Sequence, residues 1–157
     1  MSQSDVLVDV VIEIPRGSFL KRGATGHVDF VSPVPCFYNY GSVPDYLGLE
    51  GDLLDALVLG PRLPVGAKVR VPVRGAIGLS DRGMYDDKLV CSARPLGAGQ
   101  RFMVLLFLRL YSRGKALMNF VRRRPGRNAC EGWVDMREAL ARARPRPADW
   151  KGPQVPF

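Results

Sequence analysis

The feature that most restricts the fold of this chain is a series of short strand-like segments separated by Gly, Pro and polar turns. In two of them, residues 6–14 and 68–79, apolar and polar residues alternate. A period of two is typical of strands that bury one face. The predicted strands cover residues 6–14, 27–31, 55–59, 68–79 and 88–91. Residues 68–79 form either a strand pair or one long bent strand, in which Pro72 requires an edge or a bulge. Several short strands of this kind indicate a small closed or partly closed β-barrel.

The pattern changes after Gly99, where helices are predicted. Residues 101–113 are apolar on most sides and long enough to form a packed helix. Residues 131–144 are amphipathic, as expected of a helix with one buried stripe. That stripe is predicted to consist of Val134, Ala139, Leu140 and Ala143.

The other segments are predicted to be irregular, and the whole chain is predicted to form one domain. Residues 34–48 mix aromatic residues with Pro and Gly, which is typical of a structured loop. A length of 157 residues with 46% hydrophobic content suits one core. The predicted fold class is therefore α+β, mainly β, with a β-barrel and C-terminal helices in a single domain over residues 1–157. The Pro-rich residues 145–157 are expected to form an irregular tail.

Several function classes are disfavoured by simple sequence features. The longest apolar run is far shorter than the roughly 18 residues of a membrane span. The N-terminal segment has early acids and no basic stretch, so we expect no signal peptide and a cytoplasmic protein. Three widely spaced cysteines, Cys36, Cys91 and Cys130, fit reduced thiols better than a disulfide framework.

Charge is distributed unevenly along the chain. The formal net charge of +8 favours an anionic partner. Acidic residues nevertheless crowd the middle of the sequence between Asp45 and Asp87, and arginines crowd the C-terminal third. Because neighbouring carboxylates repel one another, bound cations are the simplest explanation for the acidic cluster.

The available side chains favour metal-assisted chemistry on oxygen ligands. The chain has one histidine and no nucleophile elbow, P-loop or zinc ligand set. Carboxylates suit hard ions such as Mg²⁺ and Mn²⁺, and phosphoanhydride hydrolysis needs such ions, a carboxylate base and groups that hold phosphate oxygens. The candidate carboxylates are Glu13, Glu50, Asp52, Asp55, Asp81 and Asp86. The candidate phosphate-holding groups are Lys21, Tyr40, Lys88 and Tyr111.

Five motifs give the chain a resemblance to family I soluble inorganic pyrophosphatases from about residue 9 to residue 143. They are VVIEIP (10–15), FYNYG (37–41), EGDLLDALV (50–58), the turn at 81–89 and CEGWVD (130–135). The most specific is the Asp-x-Asp-x-x-Asp signature, represented here by Glu50, Asp52 and Asp55. The resemblance implies an OB-like five-stranded barrel with flanking helices and hydrolysis of inorganic pyrophosphate to two phosphates. It also implies a need for Mg²⁺, with Mn²⁺ as a second candidate, and a homo-oligomer, since bacterial members are commonly hexamers.

The resemblance also implies a role for each matching residue. Asp52 matches the base that activates the attacking water. The implied metal ligands are Glu50, Asp55, Asp81 and Asp86, with Asp86 bridging. The implied substrate-binding or site-organising residues are Glu13, Lys21, Tyr40, Lys88 and Tyr111.

The chain departs from the family pattern at positions that hold phosphate. Phe30 or Val28 stands in place of an arginine, and Ser112 stands in place of a lysine. Losing one cationic phosphate contact costs about tenfold to a thousandfold in rate. One alternative is therefore a catalytically weakened protein of this fold that acts on another phosphoanhydride or serves as a scaffold. Another is an OB-type nucleic-acid-binding module, which is disfavoured because an acidic cluster repels phosphates.

Overall fold

The computed structural model describes residues 6–18, 20–22, 28–31, 37–47, 53–81, 84–121 and 129–145. For residues 20–22, 28–31, 80–81, 84–85, 114–121, 129 and 144–145 the description is confined to the backbone. The elements in chain order are β1 (Leu7–Ile14), β2 (Leu20–Arg22), β3 (Val28–Val31), β4 (Asn39–Leu47), β5 (Leu53–Val58), β6 (Lys68–Asp81), β7 (Met84–Tyr85), β8 (Lys88–Cys91), α1 (Ala98–Val121), β9 (Ala129–Val134), α2 (Met136–Arg142) and β10 (Arg144–Pro145).

Five strands close into a β-barrel in the order β1-β4-β5-β8-β6, because β6 also pairs with β1. Four of the five pairings are antiparallel, and the pairing of β5 with β8 is parallel. The short strands β7 and β9 extend β6, β10 pairs with β4, and β2 pairs with β3 in a separate hairpin. The five-stranded barrel with two helices confirms the predicted fold class.

The segment predicted as a strand pair or one bent strand is a single strand of 14 residues, β6. Its first part, Lys68–Pro72, pairs with β1, and its later part pairs with β8 and β9. Pro72 lies at the end of the pairing with β1, just before a register shift between Val73 and Gly75. Since proline has no N–H to donate, this is where the ladder tolerates it.

The strands bury two separate apolar layers, because successive side chains point to opposite faces. The inner layer fills the barrel with residues from all five strands, and Ala139 of α2 and Ala143, the residue that follows this helix, pack against it. The outer layer lies between the barrel wall and α1, whose Val104 and Leu108 are fully buried there. The guanidinium of Arg101 also stacks 4.1 Å from the ring of Trp133, which joins the start of α1 to β9.

The prediction of a loop over residues 34–48 is wrong, since nine of these residues form β4. Gly41 is required there because a Cβ at this position would lie 2.2 Å from the carbonyl oxygen of Val11. Pro44 is accommodated by a register shift between Val43 and Leu47. Gly and Pro, which usually indicate a loop, here allow close strand packing and a bulge.

The prediction of one helix over residues 131–144 is also wrong in its first part. Residues up to Val134 belong to β9, and α2 begins only at Met136. Asp135 separates the two elements as the N-cap of α2, where its side chain accepts a hydrogen bond of 2.7 Å from the N–H of Arg137. Ala139 and Ala143 are buried as predicted, while Val134 and Leu140 are partly buried against the same core.

Two further predictions concern the first helix and the C-terminal tail. Helix α1 is longer than predicted and covers Ala98–Val121. Of the predicted tail, Pro145 pairs with Tyr46 of β4, and residues 146–157 lie outside the described residues. Among the described helices, none combines the length and apolar character needed to cross a membrane.

Candidate active site

The parallel pairing of β5 with β8 brings an aspartate and a lysine side by side. Asp55 lies opposite Lys88 in the register of the two strands. Their neighbours Leu54 and Leu89 belong to the inner layer. Asp55 and Lys88 therefore project from the outer face of the barrel, toward the layer covered by α1.

Lys88 is the centre of an ionic cluster. Its side chain is only 1% exposed, and its Nζ forms ion pairs with Oδ2 of Asp55 and with Oδ1 of Asp86, the latter at 2.9 Å. The N–H of Asp86 donates a 2.8 Å hydrogen bond to the carbonyl of Leu79, which ties the turn before β8 to β6. Two carboxylates thus share one buried ammonium group.

Two tyrosines flank the ammonium group of Lys88. The ring centroids of Tyr40, from β4, and Tyr111, from α1, lie 5.7 Å and 5.9 Å from Nζ. Tyr40 is paired in register with Leu57 of the outer layer, and Tyr111 follows Val104 and Leu108 on the buried side of α1. Both rings are close enough for cation–π attraction.

The electrostatics of the cluster keep Lys88 charged. Burial alone would lower the pKa of Lys88, but the charges of Asp55 and Asp86 raise that pKa well above its ordinary value. Burial, and then the charge of Asp55, raise the pKa of Tyr40 well above 10.0, so its hydroxyl stays protonated. The cluster therefore offers protonated donors beside carboxylate acceptors.

Oxygen ligands for a hard cation are present, but only in part among the described residues. Asp55 and Asp86 converge, and within the described ranges no group of three or more Asp, Glu, His or Cys side chains could hold a metal ion. Carboxylate oxygens are the donors that Mg²⁺ and Mn²⁺ prefer, so the chemistry of this donor set fits such an ion.

A family model described as inorganic pyrophosphatase matches residues 10–95. The chain is also 30% identical over 148 residues to the inorganic pyrophosphatase of Haemophilus influenzae, covering 85% of this chain and 83% of that one. The chain belongs to the family I soluble inorganic pyrophosphatases. A match to the Gluconobacter oxydans enzyme is 36% identical over 92 residues and spans about half of each chain, 54% of this one and 53% of the relative.

Solved inorganic pyrophosphatases share the fold over most of the chain. The Thermus thermophilus structure superposes with a TM-score of 0.69 at 26% identity, covering 90% of both chains. The Neisseria gonorrhoeae structure gives a TM-score of 0.67 at 25% identity, covering 86% of both chains.

The pyrophosphatase fold brings five of the ten predicted site residues into one cluster, which consists of Tyr40, Asp55, Asp86, Lys88 and Tyr111. Glu13 is buried on β1, next to Ile14, which pairs with Tyr40. Lys21 and Asp81 are described by their backbone only, on β2 and at the end of β6. Glu50 and Asp52 lie outside the described residues.

Two departures from the family pattern have a structural setting. Phe30 pairs with Lys21 across the β2–β3 hairpin. Ser112 is buried on α1 beside Tyr111, and the next basic residue, Arg113, is exposed. Phe30 and Ser112 are therefore next to Lys21 and Tyr111, two residues that the resemblance assigns to the site.

Sequence reasoning missed one pair of charged residues next to the cluster. Asp87 is not among the predicted site residues, yet it is buried and its carboxylate lies 3.3 Å from Nη1 of Arg142 on α2. Burial raises the pKa of Asp87 above 3.8, against the opposing effect of the Arg142 charge. Two features of the sequence could have indicated this ion pair: the consecutive aspartates at 86–87, and Arg142 on the amphipathic segment 131–144.

Proposed function

We propose that this chain hydrolyses inorganic pyrophosphate to two phosphate ions at the cluster around Lys88. In that reaction a water oxygen attacks one phosphorus and the bridging P–O bond breaks, with the second phosphate as leaving group. The observation that carries the proposal is the convergence of Asp55, Asp86 and Lys88 in a chain that belongs to the pyrophosphatase family.

The carboxylates would hold the metal ion. We propose Mg²⁺ as the cofactor, with Mn²⁺ as a substitute, held by Glu50, Asp55, Asp81 and Asp86. Such an ion, when bound, neutralises phosphate charge and lowers the pKa of a bound water. Asp52 would accept the proton of the attacking water.

The cationic and phenolic groups would hold the substrate. Lys88, kept protonated by Asp55 and Asp86, can donate hydrogen bonds to phosphate oxygens. Tyr40 and Tyr111 border the same ammonium group, and their hydroxyls are donors of the right kind. Lys21 and Glu13 would complete the site, as the family resemblance implies.

We also propose that the protein is a cytoplasmic homo-oligomer built on this single domain, and that the outer face of α1 contacts a second copy. Four large apolar side chains are exposed on that face: Phe102 (64%), Met103, Leu106 and Leu110. Exposed Phe37 extends the surface, since its ring packs 5.6 Å from that of Phe107. A contiguous apolar surface of this kind usually marks a protein contact. Leu110→Glu should reduce the mass measured by sedimentation, and an unchanged mass would exclude this face.

A weakened enzyme is the second candidate, and Phe30 and Ser112 favour it. Each stands where the family has a cation, so transition-state charge would be less well compensated. Its distinguishing property would be metal binding with turnover that is very slow or absent.

The deciding experiment measures phosphate release from pyrophosphate with Mg²⁺ and then Mn²⁺. Asp52→Asn and Asp55→Asn should each lower turnover at least about a hundredfold, because each removes a carboxylate from the acid–base or metal chemistry. The matched control is Asp45→Asn. Asp45 is exposed near the end of β4, whereas Tyr40 of the cluster lies near its start, so this variant should turn over like the unmodified protein. Metal-dependent release lost in the first two variants supports pyrophosphate hydrolysis. No release with either ion favours the weakened protein.

A further inference from the structure

Asp86 and Asp87 are consecutive residues whose carboxylates make contacts on different sides of the chain. Asp86 accepts a hydrogen bond from Lys88 in the outer cluster. The two carboxylate oxygens of Asp87 lie 3.3 Å and 3.4 Å from Nη1 of Arg142, in the last turn of α2. The side chain of Asp87 is only 3% exposed and that of Arg142 is 27% exposed. The segment that enters β8 is therefore held by ion pairs from two elements.

We propose that Arg142 is a positioning residue of the active site, which fixes Asp86 and Lys88 through its ion pair with Asp87. The catalytic part of this inference rests on the proposed function. Arg142 need not contact substrate or metal in this role.

The helix that carries Arg142 provides a rigid support. Its neighbours Ala139 and Ala143 are buried in the inner layer. Asp135 caps the same helix at its start. A side chain that extends from a packed helix can hold a loop within the small tolerance that an active site requires.

The ion pair also controls the charge next to the cluster. Without Arg142, the buried carboxylate of Asp87 would lack this cation, and a buried charge left without compensation is strongly unfavourable. The second carboxylate near Arg142, Glu138 at 3.9 Å, is exposed and interacts only weakly.

The contact needs a cation rather than the whole guanidinium fork. One nitrogen, Nη1, serves both oxygens of Asp87. A lysine ammonium can make the same kind of contact, although its side chain is shorter. Arg142→Lys is therefore the conservative variant that should restore the function of Arg142.

The test compares Arg142→Gln and Arg142→Lys with Arg137→Gln, a change of the same type at an exposed residue of α2. All variants are measured well below their melting temperatures, for kcat, for KM and for Mn²⁺ binding followed by the electron paramagnetic resonance of free Mn²⁺. Arg142→Gln should lower kcat about tenfold to a hundredfold, the effect of a displacement of about 1 Å, with a smaller change in KM. It should also weaken Mn²⁺ binding, whereas Arg142→Lys recovers most of both losses and Arg137→Gln shows neither.

A double variant shows whether Arg142 affects the active site through Asp87 or independently of Asp87. Asp87→Asn with Arg142→Gln should lose no more than the worse single variant, because both changes break one contact. Additive losses, or equal losses in Arg142→Gln and Arg142→Lys, would overturn the proposal. If Arg142→Gln does not fold, the isosteric Asp87→Asn takes its place with the same expected losses.

The Mn²⁺ binding measurement distinguishes a failure of this inference from a failure of the proposed function. If the unmodified protein shows no turnover but binds Mn²⁺, weaker binding in Arg142→Gln than in Arg137→Gln supports positioning, and equal binding overturns it. A protein that neither turns over nor binds Mn²⁺ overturns both proposals.

Discussion

The two layers on either side of the barrel wall share the same strands but differ in chemistry. The inner layer is made of apolar side chains and the thiol of Cys91, and α2 packs against it. The outer layer under α1 places the buried ammonium of Lys88 among apolar residues and two carboxylates. On β5 the difference arises between consecutive residues, since Leu54 belongs to the inner layer and Asp55 to the ionic cluster.

The comparison suggests how stability and activity are divided in this molecule. A layer of packed hydrocarbon has no group that can bind phosphate or metal, so it contributes to stability. A buried ion pair contributes little net stability compared with apolar packing, so its presence in the outer layer is better explained by function. Adjacent residues of one strand should therefore respond to mutation in different ways.

The sharpest test of this division is the pair Lys88→Met and Leu89→Ala on β8. Lys88→Met removes the shared cation of Asp55 and Asp86, and we expect turnover of pyrophosphate to fall at least about a hundredfold. Leu89→Ala leaves a cavity in the inner layer and should cost about 2–5 kcal/mol of unfolding free energy, with near-normal kcat at low temperature. Steady-state kinetics and urea unfolding measure the two effects. Normal turnover in Lys88→Met would contradict a functional outer layer.

A second test uses two glycines, one from the barrel wall and one from α1. Gly41→Ala places a Cβ 2.2 Å from a main-chain oxygen of β1, which cannot move without breaking the ladder, so we expect a loss of about 3 kcal/mol. At Gly99, near the start of α1, the described residues place no atom within 4 Å of the added Cβ apart from its chain neighbours and the nearby helix backbone. Gly99→Ala should stabilise the protein by about 0.4–1 kcal/mol, since alanine restricts the unfolded chain. Similar unfolding free energies for the two variants would show that the barrel wall is less tightly packed than described.

The sequence predicts most of the barrel but not the contacts that assemble the site. Alternation identifies β1 and the first part of β6, because a half-buried strand imposes a period of two. It misses β4, where Gly41 is needed for a close approach that only the tertiary structure reveals. The pairing of Asp55 with Lys88 joins residues 33 positions apart through a parallel register that local patterns do not encode. The ion pair of Asp87 with Arg142 escapes prediction for the same reason.

The smallest expected effect concerns the buried carboxylate of Asp87, and it can be measured as a dependence of stability on pH. Burial raises the pKa of Asp87 above its ordinary 3.8, although Arg142 acts in the opposite direction. The folded state then holds the Asp87 proton more strongly than the unfolded state. The stability from this group is fully present below pH 3.8 and is lost as the pH rises through the folded-state pKa. The unfolding free energy of the unmodified protein relative to Asp87→Asn should therefore decrease with rising pH, as measured by urea unfolding at several pH values. A difference that increases with pH would mean that Arg142 outweighs burial and that the Asp87 carboxylate prefers the folded state.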